Sequence, residues 1–157
     1  LRTPAKVIGS LAYVFGTRGS INIDVEYIDY SKANLKSTND PVYAPEPNEY
    51  RYQNEEASQI LKPVLNIRIG GEMVIQTQYY VRAGFAYYPQ PYESNVSAGT
   101  KAGTTISFGG GIKLGSNSID LAYKIQSKNF NYYAFDVSKT SINSNTNGLI
   151  LSYSVNF

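Results

Sequence analysis

Residues 65–76 read Leu-Asn-Ile-Arg-Ile-Gly-Gly-Glu-Met-Val-Ile-Gln. Leu65, Ile67, Ile69, Met73 and Ile75 fall on one parity, and Asn66, Arg68, Glu72 and Gln76 on the other. Side chains of an extended chain alternate between two faces, so this stretch predicts a β-strand with one apolar and one charged face. A helix would scatter the same residues around its circumference and bury charge with apolar groups.

Six more stretches alternate in the same way. Strands are expected near Lys6–Phe15, Ser20–Ser31, Val64–Ile75, Gln78–Tyr88, Thr104–Leu114, Ser118–Lys128 and Gly148–Phe157. In the second, Ile21, Ile23, Val25 and Tyr27 oppose Asn22, Asp24 and Glu26. In the fourth, Tyr79, Val81, Ala83, Phe85 and Tyr87 oppose Arg82. In the fifth, Ile106, Phe108, Ile112 and Leu114 oppose Thr105, Ser107 and Lys113. In the sixth, Ile119, Leu121, Tyr123 and Ile125 oppose Asp120, Lys124 and Gln126. In the last, Leu149, Leu151, Tyr153, Val155 and Phe157 oppose Ser152, Ser154 and Asn156. The first is looser, with Ile8 and Val14 on its polar side. Each stretch is about ten residues long, whereas strands of soluble domains cluster at about 5–6. No charge stands in the middle of any apolar face. That is the pattern a lipid-facing surface enforces, because a mid-membrane Lys or Arg there costs roughly 2–4 kcal/mol.

The links between these stretches sort by length. Gly16–Gly19, the residues around Thr77, and Gly115–Asn117 are short. The links over about Lys32–Pro63, Pro89–Gly103 and Asn129–Asn147 are long. Short and long alternate, as periplasmic turns and extracellular loops do in outer-membrane barrels. Aromatic residues gather toward strand ends at Tyr13, Phe15, Tyr27, Tyr79, Phe85, Tyr87 and Phe157, as interfacial girdles would require.

Composition points the same way. The chain of 157 residues carries 15 tyrosines, 13 glycines and a formal charge of +2, and it has no cysteine, histidine or tryptophan. A histidine-based triad and thiol chemistry are excluded, and a zinc site would have to be all-carboxylate. No basic cluster invites nucleic acid. No run of 18 apolar residues exists to form a membrane helix, but a spanning strand needs only about 9–11 residues. Neither catalysis nor a cofactor is expected. Gly109-Gly110-Gly111 opens no helix, so a bulge, a bend or room for a plug is expected there rather than a phosphate cradle. Asn54–Leu61 carries a modest helical pattern and reads as a short helix or the start of an early third strand. Pro41–Pro47, with Tyr43, and the nearby Tyr50 and Tyr52 read as an exposed loop.

The closing Leu-Ser-Tyr-Ser-Val-Asn-Phe, residues 151–157, resembles the C-terminal strand signature that barrel-insertion machinery reads, with Phe157 last. Further phrases resemble the C-terminal half of the FadL-type family of outer-membrane transporters for long-chain fatty acids and aromatic hydrocarbons, especially its Bacteroidetes versions. They are Arg2-Thr3-Pro4-Ala5-Lys6, Asp24-Val25-Glu26-Tyr27, Ile69-Gly70-Gly71-Glu72, Arg82-Ala83-Gly84-Phe85-Ala86-Tyr87-Tyr88 with Pro89 and Pro91, and Ile119-Asp120-Leu121-Ala122-Tyr123. Their order and spacing cover nearly the whole chain.

The resemblance implies an all-β, antiparallel transmembrane β-barrel of 14 strands, plugged by an N-terminal hatch. Residues 1–157 would be its C-terminal portion, contributing about seven strands, with the hatch in an N-terminal part outside them. It implies passive uptake of hydrophobic small molecules, such as long-chain fatty acids, across the bacterial outer membrane. The partners would be outer-membrane lipid, the hydrophobic ligand and the insertion machinery through Phe157. A structural or secretion-associated barrel without a ligand is the alternative, and a soluble sandwich used as a binding module is a more distant one. On the barrel reading the polar parity faces the lumen, which makes Asp24, Glu26, Arg68, Glu72, Arg82, Lys113, Asp120 and Lys124 the candidate lumen residues. They could form a ligand track, or simply an ion-paired lining. Ile28, Val74 and Ile150 share their parity and hint at a lumen that is not a plain aqueous pore.

Overall fold

The computed structural model describes residues 1–36, 50–94, 96, 99–134 and 138–155. Seven strands form one antiparallel sheet in chain order: β1 Lys6–Val14, β2 Gly19–Asp29, β3 Pro63–Ile75, β4 Tyr79–Tyr88, β5 Gly99–Leu114, β6 Asn117–Ala134 and β7 Ser138–Val155. The sheet is not closed, and β1 and β7 are its edges. A 3-10 turn (Tyr30–Lys32) and one helix, α1 (Arg51–Ile60), lie in the link between β2 and β3. Of the two readings of Asn54–Leu61, the helix is the one found.

The register keeps the two parities apart across every strand pair. Leu11, Ile23, Ile69, Phe85, Ile106 and Ile125 make one continuous row. Ser10, Asp24, Arg68, Ala86, Thr105 and Gln126 make the row beside it on the other face. A slip of one residue at any pair would mix the faces, so the alternation fixes the register.

Burial is inverted relative to a soluble domain. Leu151 is 73 % exposed, Leu11 equally so and Leu121 50 %, whereas Glu26 is 6 % and Asn66 7 % exposed. The buried apolar residues Ile28, Val64, Tyr80 and Ala86 lie on the polar parity as well. No second layer covers either face among the described residues. One-sided burial in a single layer means that the polar face is the concave one and the apolar face the convex one.

The turns at one end are tight. Gly16 and Gly115 take positive φ there (57° and 64°), where glycine is free of Cβ strain. Between β3 and β4 the same backbone is adopted by Gln76 (φ 51°) and Thr77 (φ 57°). A β-branched residue is strained in this region. Thr77→Gly is therefore expected to stabilise the fold by about 1 kcal/mol, read as a higher urea midpoint at unchanged slope.

The opposite end carries the long connections, and they interlock. Leu61 bridges Tyr92, Lys62 N–H donates to the Pro91 carbonyl (2.8 Å), and Glu93 N–H donates to the Ile60 carbonyl (2.9 Å). Asn54 of α1 accepts from Leu35 N–H (2.7 Å) and donates to the Leu35 carbonyl (3.0 Å), which ties the helix to the segment after the 3-10 turn. Pro41–Pro47 with Tyr43, Asn156 and Phe157 lie outside the described residues.

One expected loop is absent. Most of Asn129–Asn147 is strand: β6 runs on to Ala134, and β7 starts at Ser138. These residues lack the apolar-out alternation of a half-buried strand. Yet Asn129 still faces Asn143, Phe130 faces Ile142 and Asn131 faces Ser141, because ladder bonds need no apolar face. The Gly109–Gly111 run also forms no bulge. It pairs regularly on both sides, and the irregularity of β5 sits instead between Thr100 and Gly103.

Candidate functional site

All eight candidate residues share the concave face. Asp24 and Glu26 come from β2, Arg68 and Glu72 from β3, Arg82 from β4, Lys113 from β5, and Asp120 and Lys124 from β6. Two clusters gather most of them.

The first centres on Glu26. Its Oε1 accepts from Asn66 Nδ2 (2.8 Å) and from the Arg68 guanidinium (3.1 Å), and its Oε2 lies 3.6 Å from Lys6 Nζ. Register makes this possible, since Glu26 faces Asn66 directly and Arg68 is two residues farther along the same strand. Arg68 in turn sits 5.9 Å from the Tyr88 ring. A carboxylate this deeply covered is tolerated because three donors surround it.

The second centres on Arg82. Its Nε donates to Glu72, directly opposite on β3 (2.6 Å), and its Nη1 donates to Asp120 on β6 (2.8 Å). The second bond crosses β5 entirely, a reach of two interstrand spacings, roughly 9.5 Å. The positions it passes on β5 are Gly109, opposite Arg82, and Gly111, opposite Asp120, so no side chain blocks the crossing. Tyr80 uses the same gap. It faces Gly111, lies over it, and its hydroxyl donates to Asp120 (2.7 Å). The Arg82 guanidinium stacks 4.5 Å from the Tyr80 ring, and Lys113 Nζ lies 5.9 Å from it.

The glycine run thus makes room for a tyrosine and an arginine rather than for a phosphate. A Cβ at Gly111 would overlap the Tyr80 ring and hydroxyl. Gly111→Ala is expected to expel the ring, break the bond to Asp120 and cost about 1–3 kcal/mol. In a Tyr80→Ala background the same change should cost little. A double-mutant cycle by urea unfolding reads the coupling.

Asp24 and Lys124 join neither cluster. Asp24 faces Ser10 and Arg68, and Lys124 faces Ser107 and Gly148. Neither makes an ion pair among the described residues. Ile28 is buried at the long-link end, Val74 is half-buried, and Ile150 is exposed. Lys6, Asn66, Tyr80 and Tyr88 are working members that the list of eight omits. Their parity was the available signal, for all four fall on the polar side of their strands; a charge-based choice passes over the amide and the two phenols, and Lys6 stands at the start of the strand with the loosest alternation.

Between these clusters the inner surface is floored by glycines. Gly70 faces Gly84, and Gly109 lies one row away, giving a depression of about 460 Å³ flanked by Asn22, Glu72, Arg82 and Asp120. Asn22 leans over Gly70 and Ser107 over Gly84, so the floor is capped by polar groups. The arrangement can hydrate and orient a solute along a polar wall.

No family model, curated protein or solved structure matches this chain.

Proposed function

We propose that residues 1–157 form part of the wall of a FadL-type outer-membrane barrel that passes hydrophobic small molecules inward without energy input. One observation carries this reading: the exposed face is apolar and the sheltered face is charged. Water would drive the opposite choice, since burying apolar area gains about 25 cal/mol per Å². Hydrocarbon accepts the apolar face and leaves the charges to an enclosed interior.

Dimensions support it. The apolar parity runs over nine residues in both Tyr79–Tyr87 and Ile106–Leu114. Nine residues of strand rise about 30 Å, or about 23 Å of height at a tilt near 40°, against an apolar band of about 25 Å in known barrels. Tight turns at one end and interlocked connections at the other suit a periplasmic and an extracellular rim.

Strand direction says how such a barrel closes. Seven is odd, so β1 and β7 run the same way. Joining them directly would give a parallel seam, and so would a second copy in the same membrane orientation. An all-antiparallel closure takes an odd number of further strands, and seven would give fourteen.

The reading is non-catalytic. Its test is flux across a membrane with a lipopolysaccharide outer leaflet, using the complete barrel and a hydrophobic solute. Faster entry than in protein-free membranes, with no energy source, is expected. Equal rates would leave a structural barrel in its place.

A further inference from the structure

Near the tight turns the convex face is dented. Gly71 of β3 faces Ala83 of β4, and neither offers a side chain larger than a methyl. Ile21 and Phe108 close the two ends of that row. Ile69 and Phe85 stand in the row above it, Met73 and Val81 in the row below. Phe15, just past β1, adds a ring to the lining, and the volume of the dent is about 720 Å³.

The dent has a level and a charge. Gly71–Ala83 is four pairs from Ile75–Tyr79, the last pair before the turn. Four residues rise about 13 Å, or about 10 Å of height at a tilt near 40°, which falls in the turn-side half of an apolar band of about 25 Å. Arg18 is the one charged residue of the turns Gly16–Gly19, Gln76–Gln78 and Gly115–Asn117. Its N–H donates to the Phe15 carbonyl (3.0 Å), and its carbonyl accepts from Val74 N–H (2.7 Å). These bonds place it between Phe15 and the neighbour of Met73, at the turn-side edge of the dent. Arg18 is exposed and has no carboxylate at ion-pair distance among the described residues.

We propose that the dent holds a glycerophospholipid of the turn-side leaflet with a net negative head: the phosphate on Arg18, an acyl chain between Ile21 and Phe108. The proposal rests on the outer-membrane reading and adds a resident lipid on the outside of the wall, apart from any solute passing inside. An unfilled dent forfeits dispersion contacts that a chain restores. A planar guanidinium pairs with a phosphate through two parallel hydrogen bonds. A choline head brings its own cation to that phosphate and a glycerol head does not, so phosphatidylglycerol outcompetes phosphatidylcholine.

Brominated phosphatidylglycerol and brominated phosphatidylcholine are the probes, read by quenching of a tryptophan placed at Phe108→Trp or, away from the dent, at Leu151→Trp. The complete barrel is folded into phosphatidylcholine vesicles, and the emission of the parent protein is subtracted. At position 108 phosphatidylglycerol should be preferred about fivefold, and at 151 not at all. Adding Arg18→Gln should abolish the preference without harming the fold, because the turn bonds are made by the Arg18 backbone. Adding Ala83→Leu should fill the dent and weaken quenching by both lipids at 108 alone. A preference at 108 that is absent, or that survives Arg18→Gln, overturns the site and leaves the membrane reading standing. So does shielding of 108 from both lipids while 151 is quenched, which would put a second copy in the dent. Quenching at neither position in folded protein overturns the membrane reading itself.

Discussion

Leu121→Arg is expected to cost the membrane-folded protein about 2–4 kcal/mol, enough to leave much of it unfolded or uninserted. Leu121 stands on the convex face of β6 between Gly110 of β5 and Leu151 of β7, and it is 50 % exposed. In water a half-exposed leucine is a forgiving site, where surface substitutions shift stability by about 0.5 kcal/mol or less. In hydrocarbon it is among the worst places for a guanidinium. The same arginine at Ala122, one residue on and on the opposite face, should be tolerated far better, because that face already holds Arg82 and Asp120. Heat-modifiable migration after folding into vesicles, followed by urea titration, separates the two. The reverse ranking, or equal small effects, contradicts the assignment of faces.

Glu26→Leu should be destabilising by about 1–3 kcal/mol, although it puts an apolar side chain at a buried position. Ordinary core logic predicts a gain. The loss follows from what is left behind: the Asn66 amide, 7 % exposed, loses the acceptor it holds at 2.8 Å, and Arg68 and Lys6 lose their carboxylate. Glu26→Gln should cost less, since one acceptor oxygen remains. Glu26→Leu/Asn66→Leu should recover part of the loss, because removing both partners of a buried hydrogen bond leaves no orphan of that pair. Urea unfolding of the native protein, Glu26→Leu, Asn66→Leu and the double variant gives the cycle, and additive effects would show that Glu26 and Asn66 act independently.

Much of the sheet was legible because period-two patterning is a direct imprint of a pleated backbone. Ile67 and Arg68 each report which face they occupy, and the pairing register only aligned what parity had already sorted. The upper hairpin was illegible for the complementary reason. Ser127, Asn129 and Asn131 resemble a loop by composition, and Phe130 and Tyr132 point opposite to the belt below, so the face pattern breaks where the strand does not. The clusters were half legible. Parity identified the face, but which charges meet depends on cross-strand neighbours, and those follow from register. Tyr80 was missed because its role depends on an empty position, Gly111, on another strand. No reading of β4 alone could supply that.

Everything proposed about membrane and transport rests on which face touches lipid, and the absence of native cysteine makes that directly measurable. Single cysteines from Ile119 to Gln126, each carrying a nitroxide, would be scanned for collisional relaxation by oxygen and by a water-soluble nickel chelate in folded, vesicle-bound protein. The account predicts a period of two: oxygen dominates at 119, 121, 123 and 125, and nickel at 120, 122, 124 and 126. Nickel access at Leu121 and Ile125 equal to that at Asp120 and Lys124 would put the apolar face in water and contradict it.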